Sequence, residues 1–234
     1  MILTGHQPTY LPWLGLFHKI SNADKYVYFD DVQYLPKEWM NRNRIKGVNN
    51  NVIYLTVPVK KKHFLIKKTT DLLIDNSLPW RRKHLKSLEI NYKKAIFFEK
   101  YIDEFAAIYR NEWEFLKDLN LHVLKVLLKL LNIKIEIIKL SELQIEEKKS
   151  NLVLSVCKKL EAHQFIFGEK GRDYAIIEDF EKNMIKPVFQ SYNHPTYQQI
   201  GDKFISHLSV IDLLFNCGDK SMDIINKNQI SIRN

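Results

Sequence analysis

Cysteine is almost missing from this chain: Cys157 and Cys217 are the two among 234 residues. That is too few for a disulfide framework or a cysteine-based zinc site. It points to a reduced, cytoplasmic protein. Long apolar runs are missing too, since none reaches the roughly 18 residues that a membrane span needs. The opening Met1-Ile2-Leu3-Thr4-Gly5-His6 lacks the basic and apolar regions of a signal peptide. No G-x-S-x-G elbow, P-loop or G-x-G-x-x-G fingerprint occurs. No spacing matches a recognised metal motif, and no metal is expected.

What is present is an ordinary globular composition with a basic balance. Hydrophobic residues make up 45% and charged residues 27%, enough for one large domain over 1–234. The net charge of +9 favours phosphorylated partners. A chain rich in Lys, Ile and Asn acquires such a charge from an AT-rich genome as well, so charge alone names no partner.

The pattern predicts alternating strands and helices. Met1–Thr4 reads as a buried strand, Leu11–Asn22 as a helix with Pro12 in its first turn, and Tyr26–Phe29 as a second strand. This is a βαβ unit, so the two strands are expected to be parallel. Residues 32–50 read as a long loop, Val52–Val59 as a strand, and Phe64–Lys67 and Asp71–Asp75 as further strands. A helical middle follows at about 79–132, with helices at 79–94, Phe97–Arg110 and Glu112–Leu131. Then come strand Ile133–Leu140, helix Ser150–Leu160 capped by Ser150, strand Gln164–Phe167, helix Ile176–Asn183 and strand Met184–Tyr192. Ser209–Phe215 and Ser221–Asn226 read as terminal helices. The expected class is α/β: a mostly parallel sheet with flanking helices and a helical middle segment.

Ligands of such sheets gather beyond the carboxyl ends of the strands. His6 and Gln7 fall there after the first strand, and Asp30-Asp31 after the second. His6 can bind phosphate, act as a base or support the loop. Gln7 offers a donor and an acceptor. An aspartate at a strand end can hold a hydroxyl or an amine, or simply cap a turn. Trp39 can stack on a sugar or base, Arg42 can fork onto phosphate, and Asn41 and Asn43 supply amides. Arg44 reads as a solvated charge. Lys83 and His84 open a middle helix on one face, with Tyr92 on a related face. The loop Gly168–Tyr174 suits an anion and offers Arg172. His194, Tyr197 and Gln198 follow the last strand. Ser209 reads as an N-cap and Asp212 as its capping-box partner, which argues against a His207–Ser209–Asp212 triad. Cys157 reads as core.

Taken together, Gln7-Pro8, Tyr10, Pro12, Gly15, Phe17, Asp24, Asp30-Asp31-Val32, Tyr34, Trp39 and Asn41-Arg42-Asn43 resemble the N-terminal signature of the bacterial WbqC-like protein family. Lys83-His84, Tyr92-Lys93, His194-Pro195, Tyr197-Gln198, Ser209 and Asp212 through Gly218 fit it as well. Phe167-Gly168 departs from it, because a small hydroxyl residue is expected before that glycine. The resemblance implies a role in O-antigen and related surface-polysaccharide assembly, by glycosyl transfer or sugar modification. The start also looks loosely like nucleotidyltransferases, but the helix carries only His18-Lys19 in place of H-x-G-H.

These readings converge on a transferase acting on a nucleotide-linked amino sugar, with an activated acyl or aminoacyl donor. Adjacent Asp30-Asp31 are not the spaced D-x-D of many glycosyltransferases, so acyl transfer ranks above glycosyl transfer. Expected catalytic residues are His6, Asp31 and His84. Expected substrate contacts are Gln7, Tyr10, Asp30, Trp39, Asn41, Arg42, Asn43, Lys83, Tyr92, Arg172, His194, Tyr197 and Gln198. The expected partner is a sugar nucleotide and not nucleic acid. The alternative from another class is a noncatalytic binder of a polyanion or glycan.

Overall fold

The first thirty residues form the predicted strand–helix–strand unit. β1 (Ile2–His6) and β2 (Lys25–Tyr28) are parallel, and α1 (Leu14–Ser21) connects them. The structure, a computed structural model, describes residues 1–36, 38–60, 68–227 and 229. The predicted strand Phe64–Lys67 lies outside the described residues.

β1 and β2 belong to a five-stranded parallel sheet. The other members are β5 (Glu136–Lys139), β6 (Gln164–Phe167) and β7 (Lys186–Phe189). The spatial order is β5-β2-β1-β6-β7, so β1 lies at the centre. All five strands run the same way, and their carboxyl ends share one edge. Alternate residues face opposite sides of a strand. Tyr26 and Tyr28 join one core with Leu14 and Phe17 of α1, and with Leu119 and Val123 of α4 (Leu116–Leu130). Leu3, Val27, Phe165 and Phe167 join another core with Val156 and Cys157 of α5 (Lys149–Lys159), and with Phe180 of α6 (Ile177–Lys182).

The helical middle comprises α2 (Trp80–Tyr92), α3 (Phe98–Arg110) and α4. It is fastened by Phe215 of α7 (Val210–Cys217). That ring lies 5.1 Å from Tyr92 and 5.4 Å from both Phe98 and Phe105. The helix α8 (Ser221–Asn226) follows.

Several expectations need correction. Leu11 adopts a left-handed backbone (φ 46°), so α1 starts only at Leu14 and Pro12 precedes it. The expected loop 32–50 contains β3 (Arg42–Lys46), which pairs antiparallel with β4 (Val52–Thr56). The alternation was hidden because an inward position of β3 is Asn43, a polar residue whose amide finds backbone acceptors. The expected strand Asp71–Asp75 is a 3₁₀ turn at Thr69–Asp71 followed by isolated bridges from Leu73 and Ile74. α4 starts at Leu116, because Phe115 is extended against Leu73. Ser150 does not cap α5; its hydroxyl accepts the Ile176 amide at 2.9 Å. β7 is short and tolerates Pro187 because it is an edge strand.

Truncating Phe215 to alanine removes the ring on which three aromatics converge. Phe215→Ala is expected to lower unfolding free energy by about 3–5 kcal/mol in a urea titration. A loss under about 1 kcal/mol, the range of a volume-conserving swap, would contradict this packing.

Candidate functional site

His6 is the last residue of β1 and pairs with Tyr28 at the end of β2. It is half-buried at the carboxyl edge. Its Nδ1 lies 2.8 Å from the Gln7 carbonyl oxygen. A carbonyl only accepts, so Nδ1 carries the proton. The Thr9 hydroxyl, 3.2 Å from the same nitrogen, donates to the Gln7 carbonyl. Burial, reinforced by the nearby Lys19, pulls the His6 pKa down to about 4. The ring is therefore neutral at pH 7, and Nε2 holds a lone pair.

Lys19 is the residue that sequence reasoning passed over. It sits on α1, 3% exposed, and its ammonium donates to the Gly5 carbonyl at 2.8 Å. Burial lowers its pKa to about 7. The signal was its place in a helix whose residues 14–20 are all buried. A lysine there has to reach along the strand toward its carboxyl end.

The loop after His6 carries Tyr10, which is fully buried. Its amide donates to the Trp39 carbonyl at 3.0 Å. The Asn43 amide donates to the carbonyls of Tyr10 (3.1 Å) and Leu11 (2.7 Å). The Tyr10 hydroxyl meets Nδ1 of His84 at 2.8 Å and the Tyr109 hydroxyl at 2.7 Å. His84 also has a backbone hydrogen bond with Thr56 and an edge contact with Trp80 at 5.4 Å. His84, expected to be catalytic, is thus 5% exposed and braces the loop from below. Lys83 beside it points to solvent.

The remaining expected residues divide by what their polar atoms touch. The Asp30 carboxylate accepts the Ser141 amide at 2.9 Å and the Ser141 hydroxyl at 2.8 Å, tying β2 to the end of β5. Asp31 pairs with Lys68 at 2.7 Å. The Asn41 amide donates to Val57 at 2.9 Å. Tyr92 and Tyr197 donate to the two oxygens of buried Asp212, at 2.8 and 2.9 Å. Gln199, not Gln198, completes that cluster, with its amide 2.8 Å from Asp212. The exposed Gln198 lies beside it. Asp212 therefore serves these donors and does not close a capping box, while Ser209 does accept the Ile211 amide at its helix start. Both His194 nitrogens have backbone partners, Pro195 and His207. Arg172 lies over the Phe189 ring at 4.6 Å, at the end of β7. Gln7 is half-buried next to His6. Trp39 is exposed, and the Arg42 guanidinium lies 5.9 Å from its centroid.

By topology, His6, Gln7, Asp30 and Asp31 follow the carboxyl ends of β1 and β2 and Arg172 lies at the end of β7, whereas Trp39, Asn43 and His84 hold Tyr10 and Leu11 of the loop after His6. His194, Tyr92 and Tyr197 brace the carboxy-terminal segment. Two cavities, of about 370 and 610 Å³, lie elsewhere, beside Trp113 and between α1 and α8.

The family model described as the WbqC-like protein family matches residues 7–224, which takes in this loop, the β3–β4 pair and the Asp212 cluster. The chain belongs to the WbqC-like family. It is 30% identical over 221 residues to the uncharacterized protein Rv1507c of Mycobacterium tuberculosis (strain ATCC 25618 / H37Rv), covering 94% of this chain and 95% of that one. No solved structure matches. Among the described residues, no helix of this WbqC-like protein is long and apolar enough to cross a membrane.

Burial lowers the pKa of His6, His18, His84 and His194 from 6.5 to about 4. Between these values the unfolded chain binds more protons than the folded one. Stability therefore falls as pH drops from 6.5 toward 4. The urea midpoint is expected to fall across that window, and less so in His84→Gln. A flat midpoint would contradict the buried neutral imidazoles.

Proposed function

We propose that this WbqC-like protein is a transferase of surface-polysaccharide assembly that moves an acyl or aminoacyl group onto a nucleotide-linked amino sugar. The reading is carried by one observation: at the carboxyl edge of β1, Nδ1 of His6 lies 2.8 Å from the Gln7 carbonyl, which assigns the proton to Nδ1 and the lone pair to Nε2, and burial favours the neutral ring by lowering its pKa to about 4. A general base needs an unprotonated nitrogen, which in this tautomer is Nε2. Family membership supports the pathway.

In this scheme the sugar amine attacks the carbonyl carbon of an activated acyl donor. The new C–N bond forms, the leaving group departs with the electrons of its bond to that carbon, and Nε2 takes the amine proton. Asp30 is engaged by Ser141 and Asp31 by Lys68, which favours His6 over either aspartate as acceptor. Burial is the main reason the imidazole stays neutral, and Lys19, when charged, adds to it by disfavouring a second positive charge nearby.

The test incubates the purified protein with nucleotide-linked amino sugars and acyl thioesters, with products read by mass. His6→Ala is expected to cut turnover by about 10²–10⁴-fold. The acid limb of the wild-type rate should lie near pH 4, because His6 is protonated only below it. Full turnover in His6→Ala, or glycosyl products in place of acylated ones, would contradict the assignment.

A further inference from the structure

The β3–β4 ribbon has two unlike faces. Asn43, Ile45 and Leu55 point inward and are buried. Arg42, Arg44 and Tyr54 belong to the outward face, with Tyr54 directly across from Arg44. Tyr54 is 51% exposed, and Trp39, just ahead of the ribbon, is 37% exposed. The Arg42 guanidinium lies 5.4 Å from the Tyr54 centroid and 5.9 Å from that of Trp39. The Arg44 guanidinium lies 5.2 Å from Trp39. Rings and cations therefore alternate: Tyr54, Arg42, Trp39, Arg44.

This arrangement is held in place beforehand. The Arg44 carbonyl accepts the Ser209 amide at 2.9 Å. The Lys46 amide donates to the Tyr92 hydroxyl at 3.0 Å, and that hydroxyl is fixed on Asp212. Arg44 donates to the His207 carbonyl at 2.8 Å and, among the described residues, forms no ion pair. Its Nε is buried without a hydrogen-bond partner. Single exposed aromatics are commonplace. Two rings interleaved with two guanidiniums on a braced ribbon suit a ligand with both a π face and negative charge.

We propose that the outer face of the β3–β4 ribbon is a nucleotide subsite, in which Tyr54 and Trp39 stack on a nucleobase and Arg42 and Arg44 take up the diphosphate. This deepens the transferase reading and rests on it for the sugar beyond the diphosphate. The subsite makes no use of His84, which is enclosed by Tyr10, Trp80 and Tyr109. The span of two rings fits one nucleotide; single-strand binders use longer tracks of about 4–16 nucleotides.

The test is isothermal titration of the full chain with UDP, TDP, GDP and ADP, and with inorganic pyrophosphate. At least one nucleoside diphosphate is expected to bind. Tyr54→Ala should weaken it about tenfold, as loss of a stacking ring does, while Tyr54→Phe binds as the wild type. Pyrophosphate binding should be unchanged in Tyr54→Ala and weakened in Arg44→Gln. Tyr54-dependent nucleotide binding without any transfer activity upholds the subsite and removes only the transferase assignment. No binding of any of the four, unchanged affinity in a folded Tyr54→Ala protein, or tighter binding of a single-stranded RNA with steep salt dependence would overturn the proposal.

Discussion

Two hydrogen bonds from one buried amide hold the candidate site together. Asn43 donates to the carbonyls of Tyr10 and Leu11, at the turn where Leu11 is forced into a left-handed backbone. Such a conformation costs of order 1–3 kcal/mol for a non-glycine residue. Each hydrogen bond returns about 0.5–1.5 kcal/mol. The two are comparable, so docking of the ribbon offsets the cost of the turn. The same contact docks the ribbon on the loop that follows His6.

The buried polar groups around this turn form a chain of support. Tyr10 joins His84 and Tyr109 below the loop. Tyr92 joins the ribbon's Lys46 amide to Asp212, where Tyr197 and Gln199 also end. Burial raises the Asp212 pKa, while its three donors act in the opposite sense. Each member is satisfied by another element of the fold, which is the condition under which a buried polar network rigidifies a structure. The proposed subsite and the proposed base both lie at the margin of this network: the ribbon's outer face on one side, and His6 at the end of β1 on the other.

Much of the frame was legible in the sequence because periodicity reports burial. The stripe Leu116, Leu119, Val123, Leu127 and the βαβ opening both belong to cores that local pattern encodes. The ribbon was not legible, since Asn43 occupies an inward position that pattern reading reserves for an apolar side chain. Its acceptors lie 32 and 33 residues away in sequence, and no local signal announces them. The candidate residues were chosen by chemical capability, and capability does not reveal whether a group is already engaged. Asp30, Asn41, Tyr92 and His194 all have partners within the fold. Lys19 was hidden for the opposite reason: a lysine on a short helix reads as surface until the helix proves to be buried on all sides.

The loop after β1 holds His6 with its Nδ1–H on the Gln7 carbonyl, and burial favours the neutral ring. Nitrogen-15 NMR of the histidine rings through a pH titration measures this directly. His6 is expected to show the Nδ1–H tautomer at pH 7 and to take up a second proton only near pH 4. A ring in the Nε2–H tautomer, or one that titrates near 6.5, would contradict it.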